Sequence, residues 1–130
     1  MKTPFEFTGR IRSFRYAGRG IGLMLKTQHN AWIHAVATVV VFIAGCLLGI
    51  SRAEWCLVVL ACAAVWTAEA LNTAFEHLAD STAPEFHPLV GQAKDVAAGA
   101  VLVTAVAAVI VGFLVFGPYV LVLVRTGRMP

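Results

Sequence analysis

EWCLVVLACAAVWTAEALNTAFEHLA, residues 54–79, is a run built for hydrocarbon that nonetheless carries Glu69, Asn72 and Glu76. Offsets of three and seven residues place those polar groups on one helical stripe. A carboxylate within a membrane span costs several kcal/mol unless it is paired, hydrated or bound to something. Two on one face, with an amide between them, read as a working site.

The rest of the chain supports a membrane setting. Its 130 residues are 59% hydrophobic and only 13% charged, against roughly 25% charged in soluble domains. Apolar residues gather in three blocks, and the predicted spans are residues 31–50, 55–79 and 96–124. Each reaches the ~30 Å of a hydrocarbon core at about 1.5 Å per residue. The predicted fold is an all-α membrane protein, a single domain over residues 1–130. No cleavable leader is expected, because the first 30 residues lack an apolar core and a small-residue cleavage site.

Residues 5–28 read differently. Arg10, Arg12, Arg15, Arg19 and Lys26 alternate with Phe7, Ile11, Phe14, Tyr16 and Leu23, which suits an amphipathic helix lying among lipid headgroups. This end holds most of the basic residues, so the N-terminus is expected on the cytoplasmic side. Three crossings then put the C-terminus outside, with Arg125 and Arg128 as minor opposition.

Small residues suit helix–helix packing: Gly45 and Gly49 form a GxxxG pair, and alanines recur in the second and third spans. Three spans cannot shield two carboxylates from lipid, so a homo-oligomer is expected. The glycine cluster AGRGIG, residues 17–22, reads as a kink or close-contact site, since no strand precedes it as a dinucleotide loop requires. Cys46, Cys56 and Cys62 show no metal or disulfide spacing and read as buried small hydrophobes. Pro84 and Pro88 mark residues 80–94 as a stiff cytoplasmic loop, after which Asp95 opens the third span.

Depth divides the roles. Glu69 lies fifteen residues beyond Glu54, about 22 Å down the helix, and Glu76 about 10 Å further, near the boundary. A carboxylate stripped of water is a stronger base than a hydrated one, so Glu69 suits proton abstraction. A wetted Glu76 suits Mg²⁺, which takes oxygen ligands and keeps waters. Asn72 can orient a nucleophile or bridge the two. Lys94, beside Asp95 at a helix start, offers a cation where backbone N–H groups also favour phosphate. Together these make a set for phosphoryl transfer. The bland readings are an interfacial Glu76, a structural inter-helix bond for Glu69, and a plain flanking Lys94. His29, His34, His77 and His87 read as interfacial polar residues, with His87 able to meet a nucleotide.

EALNTAFEH (69–77), EFHPLVGQAKDVAAGAVL (85–102) and SFRYAGRGI (13–21), with the three-span layout, resemble the small prokaryotic integral-membrane diacylglycerol kinase family, nearer its undecaprenol kinase branch. The resemblance implies a homotrimer in the bacterial inner membrane, with active sites between protomers that use Mg-ATP to phosphorylate a lipid hydroxyl. It implies Glu69 as catalytic base beside the motif's Asn72, and Glu76 as metal ligand. It implies ATP contacts for Arg10, Tyr16, Glu85, Phe86, His87, Lys94 and Asp95. Where the family carries a second metal-binding glutamate, this chain has Gln28, which offers Mg²⁺ a neutral oxygen and removes one charge.

Two functions follow. One is a lipid kinase acting on diacylglycerol or undecaprenol, with no nucleic-acid partner. The other is a non-catalytic oligomeric scaffold or pore in which Glu69 and Asn72 line a polar seam. ATP consumption with a lipid separates them.

Overall fold

Four α-helices follow one another with short breaks: α1 (Phe7–Thr27), α2 (His29–Leu48), α3 (Arg52–Thr82) and α4 (Pro88–Thr126). The computed structural model describes residues 7–127 except 84 and 86, and no strand occurs among the described residues. α2, α3 and α4 are long and apolar enough to cross a membrane.

The breaks have local causes. Gln28, extended at φ −107°, separates α1 from α2 and serves as N-cap without using its side chain. α2 ends on Gly49, whose φ of 64° belongs to the left-handed region that favours glycine. A capping box then opens α3: Ser51 Oγ accepts from the Glu54 N–H, and Glu54 Oε2 accepts from the Ser51 N–H at 2.7 Å. The same Glu54 oxygen accepts from the Tyr119 hydroxyl at 2.8 Å, tying the start of α3 to the far part of α4.

α4 packs along α3 more extensively than any other helix pair. Ile50, Val58 and Val115 form the buried core, flanked by Trp55, Cys62, Phe116 and Tyr119. Only 11% of the most apolar stretches of α2 and α4 is buried within the chain. Side chains such as Phe113 and Leu114 therefore face outward, which suits lipid or sister copies.

Several expectations change. α4 begins at Pro88, inside the stretch read as loop, because proline at the first helical position starts a helix while blocking its continuation from the other side. α3 meanwhile runs on to Thr82, so only residues 83–87 connect the two helices. Asp95 consequently sits well inside α4, whose first turn holds no acidic residue. The GxxxG pair does not act as a pair. Gly45 lies where a Cβ would come within 2.8 Å of Trp55, whereas Gly49 terminates its helix. α1 passes through residues 17–22 unbroken, and a Cβ at Gly18, Gly20 or Gly22 would meet nothing within 4 Å. Cys46 and Cys56 are exposed on the single chain, where Cys62 is half-buried.

Candidate active site

α3 carries the polar stripe that the sequence shows, and the fold sets its members at two levels. Glu69, Asn72 and Thr73 are all buried. Glu69 is the extreme case: it is 0% exposed, and neither carboxylate oxygen has a hydrogen-bond partner. Its nearest polar neighbour is His34 of α2, whose Nε2 lies 3.7 Å from Glu69 Oε2 and is itself buried without a partner.

Two helical turns along, about 10 Å away by helix rise, the second level gathers around Glu76. Gln28 Nε2 donates to Glu76 Oε2 at 2.6 Å, and Asn72 Nδ2 donates to Glu76 Oε1 at 3.0 Å. Gln28 reaches α3 because the α1–α2 break frees its side chain from capping. Asn72 spans the levels, and its own Oδ1 is buried without a partner.

No group of three or more His, Cys, Asp or Glu side chains suited to a metal occurs among the described residues. The donor set is instead one carboxylate and two amides, with an amide oxygen already lacking a partner. Such an all-oxygen set fits a hard cation that retains several waters. Rotation of either amide by half a turn replaces its N–H₂ donor with an oxygen.

Lys94 lies nearby but not at a helix start. It stands in the second turn of α4 and donates to Asp80 Oδ1 at 3.0 Å, within electrostatic reach of Glu76. The start of α4 is closed by His87: Nδ1 accepts from Leu89 N–H, and its carbonyl accepts from the N–H groups of Val90 and Gly91. Pro88 has no N–H to offer. The phosphate-receptive helix end expected at Lys94 is therefore replaced by a capped one. His87 and Lys94 nonetheless line one shallow cavity of about 270 Å³ with Thr82 and Ala93.

The remaining candidates sit apart. Tyr16 is exposed on α1, with the Arg19 guanidinium 5.9 Å above its ring, and Arg10 is exposed on the same helix. Glu85 and Asp95 are exposed, while Phe86 lies outside the described residues. His34, which reads from the sequence as an interfacial polar residue, instead lies between α2 and α3 against Glu69. An ionisable side chain at the fourth position of the predicted 31–50 span warrants the suspicion given to Glu69.

Three helices able to span a membrane, a buried bare carboxylate and a carboxylate–amide cluster near one end are the arrangement expected of an integral-membrane enzyme. Residues 15–116 match the family described as prokaryotic diacylglycerol kinase. The chain belongs to that family of lipid kinases, which sets aside the non-catalytic scaffold. It is 44% identical over 113 residues to a Bacillus subtilis protein named undecaprenol kinase, covering 87% of this chain and 92% of that one. It is also 44% identical over 101 residues to a Synechocystis diacylglycerol kinase, covering 77% of this chain but 58% of that one. An Escherichia coli diacylglycerol kinase is 30% identical over 111 residues, at 80% and 85% coverage.

Proposed function

We propose that this protein transfers the γ-phosphoryl group of Mg-ATP to the hydroxyl of a membrane lipid, with undecaprenol as the substrate. The observation that carries this reading is a fully buried Glu69 without a hydrogen-bond partner, two turns from the Gln28–Glu76–Asn72 cluster. Glu69 is the general base that finally holds the hydroxyl proton as the lipid oxygen bonds phosphorus and ADP leaves. Glu76 would hold Mg²⁺, with Gln28 and Asn72 turning their amide oxygens, in place of the N–H₂ groups that now face Glu76, toward it. When bound, the metal neutralises charge on the phosphates.

Lys94 and His87 face the nucleotide from their shared cavity, whereas contacts from Arg10, Tyr16, Glu85 and Asp95, which sit apart in the single chain, rest on the family resemblance alone. Three apolar helices and a prokaryotic kinase family support a bacterial inner membrane. The basic N-terminal segment favours a cytoplasmic N-terminus, with α1 among the headgroups. Outward-facing apolar side chains suit sister copies, and the family resemblance implies a homotrimer. One chain already encloses Glu69, however, contrary to the expectation that neighbours are needed to shield it. Undecaprenol is favoured by the greater share of the chain aligned with an undecaprenol kinase.

The test is a competition. Purified protein with labelled Mg-ATP and equal undecaprenol and diacylglycerol is expected to yield mainly undecaprenyl phosphate. Preferential labelling of diacylglycerol replaces the substrate, and no labelled lipid of either kind overturns the reading.

A further inference from the structure

We propose that His34 relays the proton from the lipid hydroxyl to Glu69, so that the two act as a dyad. This rests on Glu69 being the base in the reading above. The difficulty that His34 resolves is access: Glu69 is completely enclosed, and it is absent from the walls of the three large cavities between the helices. His34 borders both. One ring nitrogen lies 3.7 Å from Glu69 Oε2, and the residue also lines a cavity of about 320 Å³ between α2, α3 and α4.

That cavity suits an apolar chain. Val41, Val58, Val65, Ala108 and Phe116 contribute to its walls, and it runs away from Glu69 toward the other end of the bundle. The relay requires the lipid hydroxyl to sit at the His34 end, with the apolar chain extending along these walls. The proximity of Nε2 and Oε2 is not yet a hydrogen bond, but a shift of about 0.7 Å brings it to about 3.0 Å.

The imidazole is held for this task. Its edge meets Trp66 with centroids 6.4 Å apart and planes at 71°. The Trp66 indole N–H donates to Thr38 Oγ1 at 3.1 Å, and the Thr38 hydroxyl donates to the His34 carbonyl at 2.7 Å. These bonds hold the Trp66 indole beside the ring, and Nε2 has no hydrogen-bond partner. Around the ring, α3 contributes Glu69, with Glu76 further along and the Cys62 thiol on the cavity wall. The α4 wall carries no charged side chain, and α1 faces Thr38 and Trp66 with Ile21, Met24 and Leu25.

The step balances. The lipid O–H passes its proton to the second imidazole nitrogen while the Nε2 proton moves to Glu69 Oε2. The lipid oxygen bonds the γ-phosphorus of the nucleoside triphosphate as the bond to the bridging oxygen breaks, and the nucleoside diphosphate leaves.

His34→Gln keeps a polar side chain of similar size and cannot relay a proton. Its kcat is expected to fall about a hundredfold, with KM for Mg-ATP unchanged. In His34→Gly, added 4-methylimidazole is expected to restore turnover, which a structural role for the ring does not predict. A His34→Gln enzyme within about threefold of wild-type kcat overturns the relay, as does His34→Gly protein that binds Mg-ATP but gains nothing from the imidazole. Glu69→Gln separates the layers: if it turns over normally, the base reading itself falls. If it is dead while His34→Gln is active, only the relay falls.

Discussion

Gln28 and Glu76, 48 residues apart in sequence, meet side chain to side chain at 2.6 Å. The contact ties the break between the first two helices to the inner part of the third. A neutral amide stands where a second carboxylate would double the negative charge offered to a divalent cation.

Gln28→Glu is therefore expected to lower the Mg²⁺ concentration for half-maximal turnover by at least about tenfold, because a unit charge about 4 Å from a divalent cation is worth about 2 kcal/mol even at the dielectric of water. Gln28→Ala is expected to raise it. Titration of kinase activity with Mg²⁺ at saturating ATP reads both, and identical curves for all three proteins exclude Gln28 from the metal site.

Glu69→Gln preserves shape and removes the proton acceptor. Turnover is expected to fall by about 10²–10⁴-fold without loss of helicity. Circular dichroism checks the fold, and labelled lipid product checks the rate. Buried and unpartnered, this carboxylate has no structural bond whose loss would explain such an effect.

Asp80 competes with phosphate for Lys94 if Lys94 contacts the nucleotide. The pair is 3.0 Å apart and solvent-accessible on both sides, so breaking it should leave thermal stability almost unchanged. Asp80→Asn is expected to lower KM for ATP, and Lys94→Ala to raise it. Steady-state kinetics decide, and a KM that ignores both substitutions removes Lys94 from the nucleotide site.

Gly45 supports close passage of Trp55 rather than association between copies. Gly45→Leu should shift the thermal midpoint downward, with overpacking of this kind costing about 1–3 kcal/mol. A Cβ alone would already approach Trp55 at 2.8 Å and Ile50 at 3.1 Å. Unchanged melting of the substituted protein would show that the indole simply moves aside.

What the sequence makes legible is whatever depends on one helix at a time. The apolar blocks give the helices, and the spacing of Glu69, Asn72 and Glu76 gives the stripe, because both follow from helical periodicity. The Ser51–Glu54 start of α3 follows a local rule too, a capping serine with an acidic residue three positions on. Pairing between helices was not readable from residues alone. Gln28 is placed only by resemblance, and His34 reads only as an interfacial polar residue, because nothing local says which face of α2 meets α3. Pro88 misled for a different reason: proline breaks a helix from within but begins one equally well, and spacing does not distinguish the two.

The enclosure of Glu69, Asn72 and Thr73 on one face of α3 bears on how the protein is made. A segment that hides such groups only after its neighbours dock is poorly suited to leave the translocon by itself. With just residues 83–87 between it and the more uniformly apolar α4, the two segments form a natural insertion hairpin. Biogenesis and chemistry then impose opposite demands on the same side chain, and the tight α3–α4 turn is what reconciles them.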